Sequence, residues 1–104
     1  MQLYKGKIYS FKLVSGEELI AEVSDIEKDY ILISKPITVT LTAQGPDTIP
    51  TMIAGDYNKN MQLRTSTLSM IAEVEQHIVD NYYKARELNK REENNEEKEN
   101  ASSM

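Results

Sequence analysis

The chain contains no cysteine and no tryptophan, and its 104 residues include only one phenylalanine, four glycines and three prolines. Without cysteine there are no disulfides and no thiolate metal ligands. With so few large aromatics the private core must be small. A small core favours oligomerisation, which buries further apolar surface and covers strand edges. His77 is the sole histidine, so a site built on paired imidazoles is excluded, and no nucleophile motif accompanies it. No glycine-rich phosphate loop is present. Neither an enzyme nor a bound cofactor is expected. The first residues carry no apolar leader and no apolar run approaches membrane-spanning length, so a soluble, cytoplasmic protein is expected.

Positive charge is also in short supply. Residues 1–86 hold nine Lys/Arg against eleven Asp/Glu, and residues 87–104 hold three against six. The formal net charge of −5 is thus concentrated toward the end of the chain, and the rest is almost neutral. Nucleic-acid-binding proteins usually present a basic footprint. Its absence argues against strong, phosphate-driven binding and leaves room only for a local basic surface.

What the chain does have is β-patterning. Phe11, Leu13, Leu19, Ala21 and Val23 form an alternating inner face, with polar residues between most of them. Gly16, in a Ser-Gly turn, supplies the positive φ that a tight hairpin needs. Strands are expected over 2–14 and 17–26, then from Tyr30 through the apolar run 30–33. Pro36 marks a bulge or an edge, because it cannot donate to a ladder. Ile37, Val39 and Leu41 alternate with Thr38, Thr40 and Thr42, a clear strand signature. Residues 43–47, with Gly45-Pro46, read as a loop and 49–54 as a short strand. Residues 61–64 and 68–74 read as a final strand pair around Thr65-Ser66-Thr67. The period then changes: Val74, Ile78, Tyr82 and Ala85 follow helical spacing, widened by Val79 and Tyr83. Because neighbouring helical residues point about 100° apart, one of Tyr82 and Tyr83 is expected to pack and the other to face solvent. The expected organisation is a β-domain over 1–74, a helix over 75–90 packed on or beside it, and an acidic flexible tail over 91–104.

The spacing Leu13-x-x-Gly16-x-x-Leu19-x-Ala21-x-Val23 resembles the first motif of Sm/LSm proteins, and Leu63-Arg64-Thr65-Ser66-Thr67-Leu68-Ser69-Met70-Ile71 resembles the second. The likeness spans residues 8–74. Ala21 and Thr65 stand where the family usually has glycine, and Tyr30-Ile31 replaces its Met-Asn pair. The only strong helix follows the last strand, whereas the family usually carries one before the first. A short, cysteine-free chain with a C-terminal helix ending in a Tyr-rich stretch also resembles an Sm-like group associated with marine cyanophages. The resemblance implies a mainly β fold, a small five-stranded bent antiparallel Sm-like barrel followed by a C-terminal α-helix. It implies a homo-oligomeric ring, in which strand 4 of one copy pairs with strand 5 of the next. It further implies binding of single-stranded RNA, or less readily DNA, near the central hole, and for a phage protein a place in the host cytoplasm.

By position, the implied binding residues are Tyr30 with Asp29 or Lys28 in the loop between strands 2 and 3, and Arg64 between strands 4 and 5. An aromatic face stacks on any base, and a guanidinium stacks or bonds to bases and phosphates. Equally, Tyr30 can pack within the apolar run it begins, and Arg64 can form an intersubunit ion pair. Tyr57 and Lys59, flanked by Asn58 and Asn60, form a second candidate surface or simply a hairpin tip. Lys5, Lys7 and Lys12 offer cations to phosphates, or serve as the lysines common on edge strands. Two functions follow: a ring that binds nucleic acid and acts in RNA or DNA processing or chaperoning, or a structural or adaptor oligomer that binds another protein.

Overall fold

A computed structural model describes residues 2–84. Those residues fall into two units that divide between Val74 and Glu75. The first unit is an antiparallel sheet of six strands: β1 (Ile8–Leu13), β2 (Glu18–Ile26), β3 (Tyr30–Thr42), β4 (Gly45–Pro50), β5 (Met61–Arg64) and β6 (Leu68–Glu73). They are ordered β4-β3-β2-β1-β6, with β5 also paired to β3.

Alternation places the core. Tyr9 and Phe11 of β1 lie opposite Ala21 and Leu19 of β2, Val23 lies opposite Ile33, and Ile31 opposite Leu63. Directly opposed residues share a face. These eight side chains form the buried cluster, and Leu13, Met61, Leu68 and Ile71 pack against it. Tyr9, which the sequence pattern did not single out, is fully buried. Its hydroxyl accepts the Tyr4 N–H at 2.9 Å, which satisfies the one polar atom it takes into the core. Gly16 adopts φ +100° in the β1–β2 turn, where an L side chain would be strained.

Several strand expectations need correction. The described residues hold six strands, not five. The segment 43–47 is not a loop: Ala43 and Gln44 alone make the turn, and Gly45 already pairs with Thr42. The strand placed at 49–54 is β4, which ends at Pro50. The final two strands are not paired with each other. β5 lies along β3 and β6 along β1, joined by a 3-10 turn, Thr65–Thr67. Thr67 O accepts the Val14 N–H at 2.8 Å, and Thr65 N–H donates to Asp29 O at 3.1 Å. That turn therefore spans from the β1–β2 corner to the β2–β3 corner. The sheet does not close into a barrel: no ladder joins β5 to β6.

Pro36 sits in a bulge. Ile20 opposes Ile37 and Glu22 opposes Ser34, so Ala21 faces two residues, Lys35 and Pro36. Lys35 takes φ +47°, the left-handed conformation. A bulge of this kind bends a strand and shifts its phase. Before it, Ile31 and Ile33 face the core. After it, Thr38 lies opposite core residue Leu19, while Val39 lies opposite Glu18.

In the second unit residues 76–84 are helical. Glu75 O accepts the first helical N–H bonds, and Gln76 Nε2 donates to Asp80 Oδ1 at 3.1 Å, an i,i+4 pair. Tyr82 is buried and Tyr83 is 43% exposed, their rings edge to face at 5.8 Å. The remainder of the expected helix, 85–90, and the acidic tail, 91–104, lie outside the described residues. Among the described residues no helix is long and apolar enough to cross a membrane.

Candidate nucleic-acid interface

The β2–β3 turn is short and polar. Glu27 N–H donates to Tyr30 O at 2.9 Å, which closes the turn around Lys28 and Asp29 and starts β3 at Tyr30. Both turn residues are exposed and Tyr30 is half-buried. Tyr30 lies directly opposite Arg64 across the β3–β5 ladder. The adjacent pair, Ile31 and Leu63, points into the core. By alternation Tyr30 and Arg64 point out of the other face, together with Leu32 and Gln62 two pairs further on. Arg64 is exposed.

The backbone beneath this pair is tied down. Asp29 O accepts both the Thr65 N–H and the Thr65 hydroxyl, each at 3.1 Å. Arg64 O accepts the Thr67 hydroxyl at 2.7 Å. The Asp29-Tyr30 corner and the Arg64-Thr65 corner are thus locked together, and a flat aromatic and a guanidinium project from adjoining strands. Thr65 was missed as a contributor. The signal was a threonine standing where the resembled motif usually has glycine.

The fold separates the other candidates from this pair. Tyr57 and Lys59 lie in the segment before Met61, at the far end of β5. Three strand steps, about 10 Å, separate that end from Arg64. The Tyr57 hydroxyl accepts the Met52 N–H at 2.9 Å, and Asp56 accepts the Asn58 N–H through Oδ1 and the Lys59 N–H through its carbonyl. Tyr57 therefore braces its own loop. Asn60 is held by Ser24 at 3.1 Å.

Charge at the pair is balanced by sequence neighbours, two cations (Lys28 and Arg64) and two carboxylates (Glu27 and Asp29). Among the described residues, Lys5 pairs with Asp25 at 3.1 Å and Lys7 with Glu73 at 3.5 Å, and His77 lies 3.3 Å from Glu75. Two of the three early lysines are therefore already engaged with carboxylates. Neither Lys28 nor Arg64 belongs to an ion pair among the described residues. Asp25 has a clear titration shift. The Ile26 N–H and then Lys5 hold its carboxyl below the ordinary 3.8. The described residues contain no cluster of metal-ligating side chains. A shallow groove lined by Lys12, Glu18, Val39, Leu41 and Ile49 belongs to the other half of β3, away from Tyr30. No protein-family model matches the chain, and no curated protein matches it in sequence.

Proposed function

We propose that the chain is a non-enzymatic, Sm-like protein that assembles as a homo-oligomeric ring and binds single-stranded nucleic acid, RNA in preference to DNA, in the cytoplasm. The observation that carries the reading is the Tyr30–Arg64 pair on the outward face of the β3–β5 ladder. An aromatic and a guanidinium side by side recognise an unpaired base and its phosphate without reading sequence. Each copy contributes little, because the surrounding charge is balanced. Repetition around a ring multiplies that small contribution through avidity. The barrel is part of the proposal. The Thr65–Thr67 turn joins the two strands that would complete it, and pairing of β5 with β6 of a neighbouring copy would satisfy both edges.

Fluorescence anisotropy with labelled U-rich and A-rich oligonucleotides at low and moderate salt tests binding. Binding that weakens with salt and with Arg64→Ala supports the reading. No binding by the wild-type protein at low salt retires it. Light scattering tests assembly, and a lone protomer in solution would remove the ring.

The adaptor reading draws on a different observation. Leu41 is 82% exposed and Ile53 fully exposed, apolar side chains suited to a protein surface. An assembled protein that binds no oligonucleotide would favour it.

A further inference from the structure

The β4 edge is built without backbone donors. Consecutive residues of an antiparallel strand turn their N–H and C=O alternately toward the partner strand and away from it. Pro46 and Pro50 have no N–H to give β3, to which β4 pairs from Gly45 to Pro50. The inward, hydrogen-bonded positions are therefore Asp47 and Ile49, opposite Thr40 and Thr38. The outward positions are Pro46, Thr48 and Pro50. Two of these three lack an N–H. The third, Thr48 N–H, donates to Asp47 Oδ1 at 2.8 Å. Every outward donor of this exposed strand is deleted or already engaged, and only carbonyls remain.

We propose that Pro46, Asp47 and Pro50 together close β4 to strand addition, so that self-association proceeds by other surfaces of the chain. An incoming strand at β4 would find acceptors only, and its own carbonyls would lose water without gaining a donor. The need for such a guard is local. β4 lies at the end of the sheet, and its hairpin carries Leu41 and Ile49 exposed to solvent. An apolar hairpin with an open backbone edge is an aggregation hazard. The proposal does not rest on nucleic-acid binding or on a ring. It requires only that β4 be an edge.

The test restores the donors. The variant Pro46→Thr/Asp47→Ala/Pro50→Val frees three outward N–H groups, and Asp47→Ala alone frees Thr48 while keeping both prolines. Mean solution mass is read by light scattering over a concentration series, and amide exchange is read over residues 45–50 by mass spectrometry. The triple variant is expected to show roughly a doubling of mass, since two identical edges pair as a closed dimer, or growth into larger species. Residues 45–50 are expected to gain exchange protection as it associates. Asp47→Ala should show a smaller increase in the same direction. If the triple variant fails to fold, the Asp47→Ala result decides. An unchanged mass in the folded variants, or association without added protection at 45–50, overturns the proposal.

Discussion

One strand, β3, has two halves that differ in pattern and in environment. From Tyr30 to Ser34 it lies between β2 and β5, and Ile31 and Ile33 are almost fully buried. From Ile37 to Thr42 it pairs with β4, and Ile37–Val39 also pair with β2; its apolar residues are half-buried at best, with Leu41 the most exposed. Ile31–Ile33 and Ile37–Val39 have a ladder partner on each side. Between those two stretches the difference is not in backbone pairing but in what covers the faces. The bulge at Lys35-Pro36 makes the change: it moves threonine to the core-side phase and sends Val39 to the other face. Hydrogen-bonded strand is one property and buried strand another.

The comparison is tested most severely by truncation. Ile31→Ala should cost about 2–5 kcal/mol, because it removes buried methyl groups and leaves a cavity among Leu63, Val23 and their neighbours. Leu41→Ala should stay within about 0.5 kcal/mol, as expected for an exposed residue. Urea denaturation measures both, and equal losses would break the distinction between the halves.

A smaller effect should separate the halves by ligand. Tyr30→Ala should weaken oligonucleotide binding by about 1–3 kcal/mol, the usual worth of one stacked base. Arg64→Ala should flatten the salt dependence of binding by close to one phosphate contact per subunit. Thr40→Ala, on the other half of β3, should leave anisotropy titrations unchanged. Equal weakening by Thr40→Ala would mean that the surface is not confined to the Tyr30 end.

The smallest effect is in acid, beside the first half. Asp25 opposes Leu32 across the ladder. Its carboxyl is held below 3.8 by the Ile26 N–H and by Lys5. A carboxyl whose value falls on folding stabilises the folded state above its ordinary pKa. That contribution drains away as pH drops from 3.8 through the lower folded value. Asp25→Asn keeps an acceptor for Ile26 and removes the titration. Its thermal midpoint should lose less between pH 5 and pH 3 than that of the wild type. Because the group is exposed the difference should be slight, and identical acid profiles would remove Asp25 from the account.

Much of the β1–β2 hairpin was legible because its signals are local. Gly16 marks the turn, and Phe11, Leu19, Ala21 and Val23 alternate without interruption, so one face had to be buried. Tyr9 escaped notice because a tyrosine reads equally as surface or core until its hydroxyl finds a partner, here the Tyr4 N–H. The segment from Ala43 to Pro50 misled because Gly-Pro usually signals a loop, whereas proline is tolerated where a strand edge turns its backbone to solvent. The strongest alternation, Ile37 to Thr42, identified a strand correctly and said nothing about whether either face was covered.

The order of residues along the chain was enough to decide most of the strands, the β1–β2 turn and the change to helical period at Val74, since each depends on φ/ψ preferences and side-chain direction over a few neighbours. Where those strands went was another matter. That Tyr30 would face Arg64, that Thr65 would tie itself to Asp29, and that β5 and β6 would join different partners were decided only by the folded sheet. Register pairs residues more than thirty positions apart, and a single bulge reverses which face each one presents. No local pattern carries that information.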